Sequence, residues 1–464
     1  MIVVIVVPDG VGVRNFLLGP FPQLAAARWN LYILHTVPDD FLATYAPLVD
    51  GTVQWRPLVS YRDTAANYLL RAATSYAHLY WADTFAMRRK RNAPVRGSWG
   101  MRSVHHLARV AGRLAASPLG MRALDRWHQA SVAKRPEVAG YRELFERVRP
   151  SVLLCSHQRP TVVLPAVLAA RALDIPTATC IFSWDNLTSK GRIAAPFDYY
   201  LVWSEHMRRE FRRYYPAISP ERVHVVGTPQ FDPYADRGLL WERSAFFGRI
   251  HADPARPLIC YSGGDVGTTP DDPQHVRILM ELIREGAIPQ EAQVVLRPAP
   301  GDPGDRFQGV CRDHPKLIFA PPAWVHTRPG DWTRVLPLPD DVRFLANLTH
   351  HSDLNINVAS TMTLDFAIHD KPVVNIAFDV TSPPPHGRPL WDVFYQYEHY
   401  RPVLELGAAR IARSPAELAE HVTAYLACPS LDRAARRRLV ELELSVPPGE
   451  SGRAILSVLD RIAG

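Results

Sequence analysis

The 464-residue sequence is poor in cysteine. It has five, Cys155, Cys180, Cys260, Cys311 and Cys428, far apart and with no CxxC pair. An odd, scattered set supports neither a disulfide framework nor a zinc module, and a reducing cytoplasm is the expected compartment. Long apolar runs are missing too: nothing approaches the roughly eighteen residues that a membrane-spanning helix needs. The opening Met1-Ile-Val-Val-Ile-Val-Val is too short for a secretory apolar region and lacks a basic start, so it reads as a buried strand that ends at Pro8-Asp9-Gly10. There is no Asp-x-Asp pair, the spacing with which many enzymes hold Mg²⁺ or Mn²⁺ against phosphates. His105-His106 and His350-His351 have no spaced partners, so no metal or other cofactor is expected. No internal repeat is found.

Acidic residues are missing from one long segment. Between Asp83 and Asp125 there is none, while Arg88, Arg89, Lys90, Arg91, Arg96, Arg102, Arg109, Arg113 and Arg122 all fall there, within a chain of net charge +7. Trp99, Met101, Leu107, Val110 and Leu114 recur among them at roughly helical spacing. A basic amphipathic helix resting on anionic lipid is one reading, and a solvated basic face is the other. Nucleic acid is not expected, because no recognition-helix, zinc or RNA-binding motif accompanies the charge.

What is present is an ordinary globular composition, with 47% hydrophobic and 21% charged residues. The length predicts two domains. The 42 prolines are spread without period, which implies many fixed turns. Strand and helix signals alternate, the pattern of a doubly wound parallel sheet. In the first half, strands are expected at Val3–Val7, Leu31–His35, Ser151–Ser156, "IPTATC", Tyr199–Ser204 and His224–Asp232. In the second half, Leu258–Gly264, Gln293–Pro300, Ser352–Val358 and Val373–Phe378 follow the same pattern. The expected organisation is an α/β protein of two Rossmann-like αβα domains: residues 1–235 with a basic helical insertion at about 84–135, a linker at 236–256, a second domain at 257–412, and helices over 413–464. Two such domains meeting face to face would leave a cleft lined by the carboxyl ends of both parallel sheets, where open α/β folds place their ligands.

The stretch "NVASTMTLDFAIHDKPVVNIAFD", Asn357 to Asp379, supplies a candidate ligand site. A strand ending near Val358 and a helix from Thr363 put Ser360 and Thr361 in the intervening turn. Free amides, a positive helix end and two hydroxyls there suit a phosphate. Asp365, one turn on, could accept hydrogen bonds from ribose or sugar hydroxyls; equally, Ser360 or Thr361 could be a helix cap and Asp365 an acid complementing the dipole. Gly263 and Gly264 in "SGGD" allow close backbone approach, and Arg297 ends "VVLR" with a guanidinium suited to phosphate. The aromatic cluster of Tyr395 to Pro402 is read first as core.

"SWDNLTSKG", "VVGTPQFD" and "SDLNINVASTMTLDFAIHDKPVV" resemble motifs of bacterial GT-B glycosyltransferases of the surface-polysaccharide type and of the related CDP-glycerol glycerophosphotransferase superfamily. The likeness runs from Met1 to about Ala412 in the right order. It implies a nucleotide-sugar donor held by the second domain and a glycan or lipid-linked acceptor met by the first. One departure stands out: the glycerophosphotransferases typically have a histidine in an Arg-x-His-Pro turn, whereas here the turn is Arg297-Pro298-Ala299-Pro300. A GT-B transfer needs help for the leaving group, with Ser360, Thr361, Arg297 and Lys190 as candidates. An inverting one also needs a base, and Asp9, His157 and Asp185 lie at first-domain strand ends; equally, His157 could be a cap or loop residue, Asp9 a turn aspartate, and Asp185 with Asn186 a brace of its own loop. The alternative readings of this chain keep the fold and make it a nucleotide-sugar epimerase, a polyol-phosphate transferase or a non-catalytic binding protein.

Overall fold

A computed structural model describes residues 1–464 except 50, 52, 96 and 329–331. Arg96, counted above in the basic segment, therefore lies outside the described residues. The chain divides into two compact units, Met1–Asp232 with Glu443–Gly464, and Pro233–Leu442.

The first unit is built on seven parallel strands: β1 (Ile2–Val7), β2 (Asn30–His35), β3 (Val53–Pro57), β4 (Val152–Cys155), β5 (Thr177–Cys180), β6 (Tyr199–Val202) and β7 (Val223–Val225). Their order is β3-β2-β1-β4-β5-β6-β7. Val3 to Val7 and all of β4 and β5 are buried, as expected for strands covered on both faces by helices. Chain order runs outward in one direction from β1 and in the other from β4, so β1 and β4 flank the point where the winding reverses.

The second unit contains β8 (Leu258–Ser262), β9 (Gln293–Arg297), β10 (Ile318–Phe319), the antiparallel hairpin of β11 (Trp324–His326) and β12 (Val335–Pro337), then β13 (Leu354–Asn357), β14 (Val373–Ile376) and β15 (Arg410–Ala412). The main sheet has order β10-β9-β8-β13-β14-β15, is parallel throughout, and reverses its winding between β8 and β13. Its core is formed by residues such as Ile259, Leu279, Val294, Leu354, Ile356 and Val374.

The expected strands are present, with some differences. The one expected through Asp232 stops at Val225, because Gly227 turns the chain with φ +73 and a 3₁₀ segment follows over Pro229–Ala235. The edge strands β3, β10 and β15 and the hairpin were not expected; they are two to five residues long, and all but the buried β12 are partly exposed. Five helices, from Ala65–Ala82 to Pro136–Val148, fill the interval between β3 and β4 and include the basic segment.

The trailing residues are shared between the units. Pro415–Ala427 belongs to the second. Ser451–Ala463 belongs to the first, where Ile455, Leu456, Val458 and Leu459 are buried and Asp460 accepts a hydrogen bond from Trp29 Nε1 at 3.0 Å. Among the described residues, no helix is long and apolar enough to cross a membrane.

Candidate functional site

In the first unit, the candidate site forms where neighbouring parallel strands end together. Val6 is in register with Cys155, and Cys155 with Thr179, so β1, β4 and β5 deliver their following loops to one edge. Asp9 and His157 thereby meet, and both are fully buried. Asp9 Oδ2 bonds His157 Nδ1, while Asp9 Oδ1 accepts the Gly12 amide at 2.8 Å and caps the Gly10–Leu17 helix. Burial disfavours the Asp9 charge, but His157 and the Gly12 and Val11 amides outweigh it and lower the carboxyl's pKa. An ionised Asp9 can only accept, so His157 Nδ1 carries the proton of that bond. From the loop after β5, Phe182 packs its ring 4.3 Å from that of His157.

Asp185 lies in the same loop and is braced locally. Asn186 Nδ2 donates to its Oδ1 at 2.9 Å, Ser189 Oγ to its Oδ2 at 2.7 Å, and Lys190 Nζ stands 3.0 Å from Oδ2. Gln158 joins this loop to the end of β4, donating to Asn186 Oδ1 at 2.9 Å and accepting the Phe182 amide at 3.1 Å.

Two cations that the sequence reading did not assign to a site complete the group. Arg159, two residues past His157, feels the charges of both Asp185 and Asp9. Lys90 is solvent-accessible, yet desolvation by surrounding protein, and then Arg159 and Lys190, push its ammonium down to about 8, with Asp185 acting the other way. Lys90 is carried by the Phe85–Asn92 helix. Thr84 caps that helix and donates to Thr188 O at 2.5 Å, which ties it to the Asp185 loop. Lys90 was visible in the sequence only as one of a run of basic residues; the contact through Thr84 has no local signature.

The second unit repeats the arrangement at its own winding reversal. Beyond β13, Asn357 Oδ1 accepts the Ser360 amide at 2.9 Å, and Ala359 takes φ +42, a left-handed conformation unusual for a residue with a side chain. Ser360 and Thr361 are half-buried at the start of the Met362–Ile368 helix, and Ser360 Oγ accepts the Met362 amide at 3.3 Å. Beneath this turn the strands carry a buried polar ladder. Asn357 Nδ2 donates to Asn355 Oδ1 at 2.7 Å, Asn355 to Ser262 Oγ at 2.7 Å, and Asn375 to Asn357 Oδ1 at 2.9 Å. Tyr400 OH closes it on Asn375 Oδ1 at 2.7 Å, so this tyrosine belongs to the core, as expected first for its cluster.

The remaining second-unit candidates are engaged inside the fold. Gly264's amide donates to Asp272 Oδ2 at 2.8 Å, and a Cβ there would come within 2.6 Å of Thr269 Oγ1, so the room that glycine leaves is taken by the protein itself. Gly263 donates to Arg297 O at 2.9 Å and prolongs the sheet. Arg297 is buried and its Nη2 contacts both Asp341 oxygens at 2.9 Å, while Asp341 also accepts from Ala323 N and Trp324 Nε1; this guanidinium joins β9 to the hairpin. Asp365 is buried and accepts Tyr234 OH at 2.5 Å. Among the described residues, no group of three or more His, Cys, Asp or Glu side chains could hold a metal ion.

No protein-family model matches the sequence, and no curated protein matches it significantly. Solved structures do. A UDP-GlcNAc 2-epimerase from Neisseria meningitidis bound to UDP-GlcNAc is similar with a TM-score of 0.53 at 11% identity, over 99% of this chain and 100% of that one. A glycosyltransferase from Rickettsia africae gives 0.51 at 10% identity over 99% and 98%. The wall teichoic acid polymerase TagF gives 0.51 at 10% identity over 100% and 88%. Likeness at this identity speaks for the fold, and with the two reversing parallel sheets it makes this chain a GT-B-type protein of two Rossmann-like units.

Proposed function

We propose that the protein is a metal-independent glycosyltransferase that moves a sugar from a nucleotide-activated donor to a glycan or lipid-linked acceptor in cell-surface polysaccharide biosynthesis, at the cytoplasmic side of a membrane. One observation carries this reading: in both sheets the polar candidate residues gather where the strand order reverses, β1/β4 with Asp9 and His157, and β8/β13 with Ser360 and Thr361. Open α/β sheets bind nucleotides and their substrates at that position.

In this reading His157 is the base. Asp9 holds Nδ1 and stabilises the imidazolium that forms as Nε2 takes the acceptor hydroxyl's proton. Lys90, Arg159 and Lys190 offer positive charge to an anionic substrate group, and Asp185 orders Lys190. In the second unit the Ser360 and Thr361 turn receives donor phosphate oxygens, with Asp365 held by Tyr234 as a hydroxyl acceptor beside it and Arg297 positioning the end of β9. The neighbours' nucleotide ligand, the UDP-GlcNAc of the Neisseria epimerase, supports a nucleotide-sugar as the class to test first.

The test is a thermal-shift panel of UDP-, GDP-, CMP- and CDP-linked ligands, followed by transfer assays with the ligand that binds. Donor binding raises the melting temperature by mass action. A donor that binds and yields free nucleotide only when acceptor is present supports transfer. Conversion to an isomeric sugar without acceptor would make the protein an epimerase, and no shift with any donor would leave a non-catalytic binding role.

A further inference from the structure

The basic helical segment carries a feature that the candidate site does not use. Among the described residues, eight of the thirteen exposed large apolar side chains lie between Trp81 and Trp127. The Trp99–Leu114 helix concentrates them: Trp99 is 84% exposed, Leu107 58%, Val110 50% and Leu114 85%. At about 100° per residue these four occupy an arc of about 80°, flanked on one side by Arg102, Arg109 and Arg113.

The helix is inverted relative to an ordinary surface helix. Its inward side is made of small residues, the buried Ala108 and Gly112. A Cβ on Gly112 would stand 2.6 Å from Tyr76 Cβ and 2.8 Å from Ala73 O, so this side lies flat on the Ala65–Ala82 helix. The bulky apolar residues face water. A merely solvated basic face has no use for a tryptophan and a leucine so exposed, because apolar surface of this kind is covered when it can be.

We propose that the outward face of the Trp99–Leu114 helix docks on an anionic lipid bilayer. The charge selects this occupant. The segment from residue 84 to 124 contains no acid, so two copies of the face would set arginine against arginine, whereas anionic headgroups attract the arginines as the apolar arc enters the acyl boundary. The helix lies in the interface plane and does not cross it. The inference does not depend on which group the site transfers.

The experiment is co-sedimentation of the full-length protein with phosphatidylcholine vesicles, with and without phosphatidylglycerol, at low and high salt. Binding is expected only with phosphatidylglycerol and is weakened by salt. Trp99→Ser with Leu114→Ser should reduce it at least about tenfold, and Arg102→Glu with Arg113→Glu should abolish the preference for anionic lipid. Because all four side chains are exposed, the thermal unfolding of these variants and their response to nucleotide ligands should match wild type. That separates failure of this inference from failure of the transferase reading. No binding to phosphatidylglycerol vesicles, or binding that the Trp99/Leu114 variant retains, would overturn the proposal. So would a concentration-dependent oligomer in gel filtration that this variant abolishes, which would make the face a protein interface.

Discussion

His157 and Asp9 are withdrawn from water at the end of the first sheet, and the bond between them engages Nδ1 of the ring. His157→Asn keeps a donor near the position of Nδ1 and removes the nitrogen at Nε2. Transfer should fall by about 10²–10⁴-fold, while the donor-induced rise in melting temperature stays, because the donor-side residues lie in the second unit. Unchanged transfer would move the base role to Asp185. Asp9 makes a prediction of its own in pH. Its folded pKa is depressed, so the unfolded chain takes up the proton first as pH falls. The stability it contributes is present above the ordinary aspartate range, near 4, and is lost as pH falls through the folded pKa. Asp9→Asn should therefore be less stable than wild type by about 1–3 kcal/mol at neutral pH. Denaturant titrations should show the difference shrinking below about pH 4. A difference constant across that range would mean that the Asp9 charge contributes nothing to stability.

At the scale of the element, three asparagines on central strands are unusual, because strands covered on both faces are normally apolar. Asn355, Asn357 and Asn375 are tolerated because each is bonded, and together they hold the Ala359 turn in its left-handed conformation. Asn357→Leu strands the Ser360 amide and the Asn375 amide group, and should cost at least about 2 kcal/mol in chemical denaturation. It should also shrink the donor-induced thermal shift. Leu354→Ala, at the other end of the same strand, should cost a similar amount by leaving a cavity and yet leave that shift intact. Equal shifts in the two variants would deny the turn a role in binding.

The same strands show what could be read in advance. β1, β4, β8 and β13 are apolar runs followed by turn residues, and the short helix after Ala359 was legible from its spacing. The ladder was not, since Asn355 pairs with Ser262 93 residues away and Asn375 with Asn357 from a neighbouring strand, and which strands lie side by side is not written in either one. Arg297 and Gly264 have the right chemistry for phosphate, but their partners Asp341 and Asp272 lie 44 and 8 residues away, and nothing local reveals that they are taken. His157 and Asp9, 148 residues apart, each follow a strand, and that position is legible in the sequence. Strand order then brought them together, and single-strand patterns do not encode that order.

At the scale of the whole molecule, the chain leaves the first unit at Asp232 and returns to it at Glu443. The return is anchored by a carboxylate: Asp232 accepts the amides of Gly449 at 2.9 Å, Ser451 at 3.3 Å and Gly452 at 2.9 Å, at the start of the Ser451–Ala463 helix. That helix has no side-chain cap of its own, so a residue 219 positions away from Ser451 satisfies its orphan amides and complements its dipole. Asp232→Ala removes three acceptor contacts at once and should destabilise the first unit by about 2–4 kcal/mol. A protein of two units need not melt in one step, and calorimetry can assign the effect. In Asp232→Ala the transition that includes the first unit should move down, while a donor that binds the Ser360 turn should still raise the transition of the second. If instead the donor no longer stabilises any part of the variant, donor binding depends on the first unit, and the proposed division of labour between donor and acceptor units would have to be abandoned.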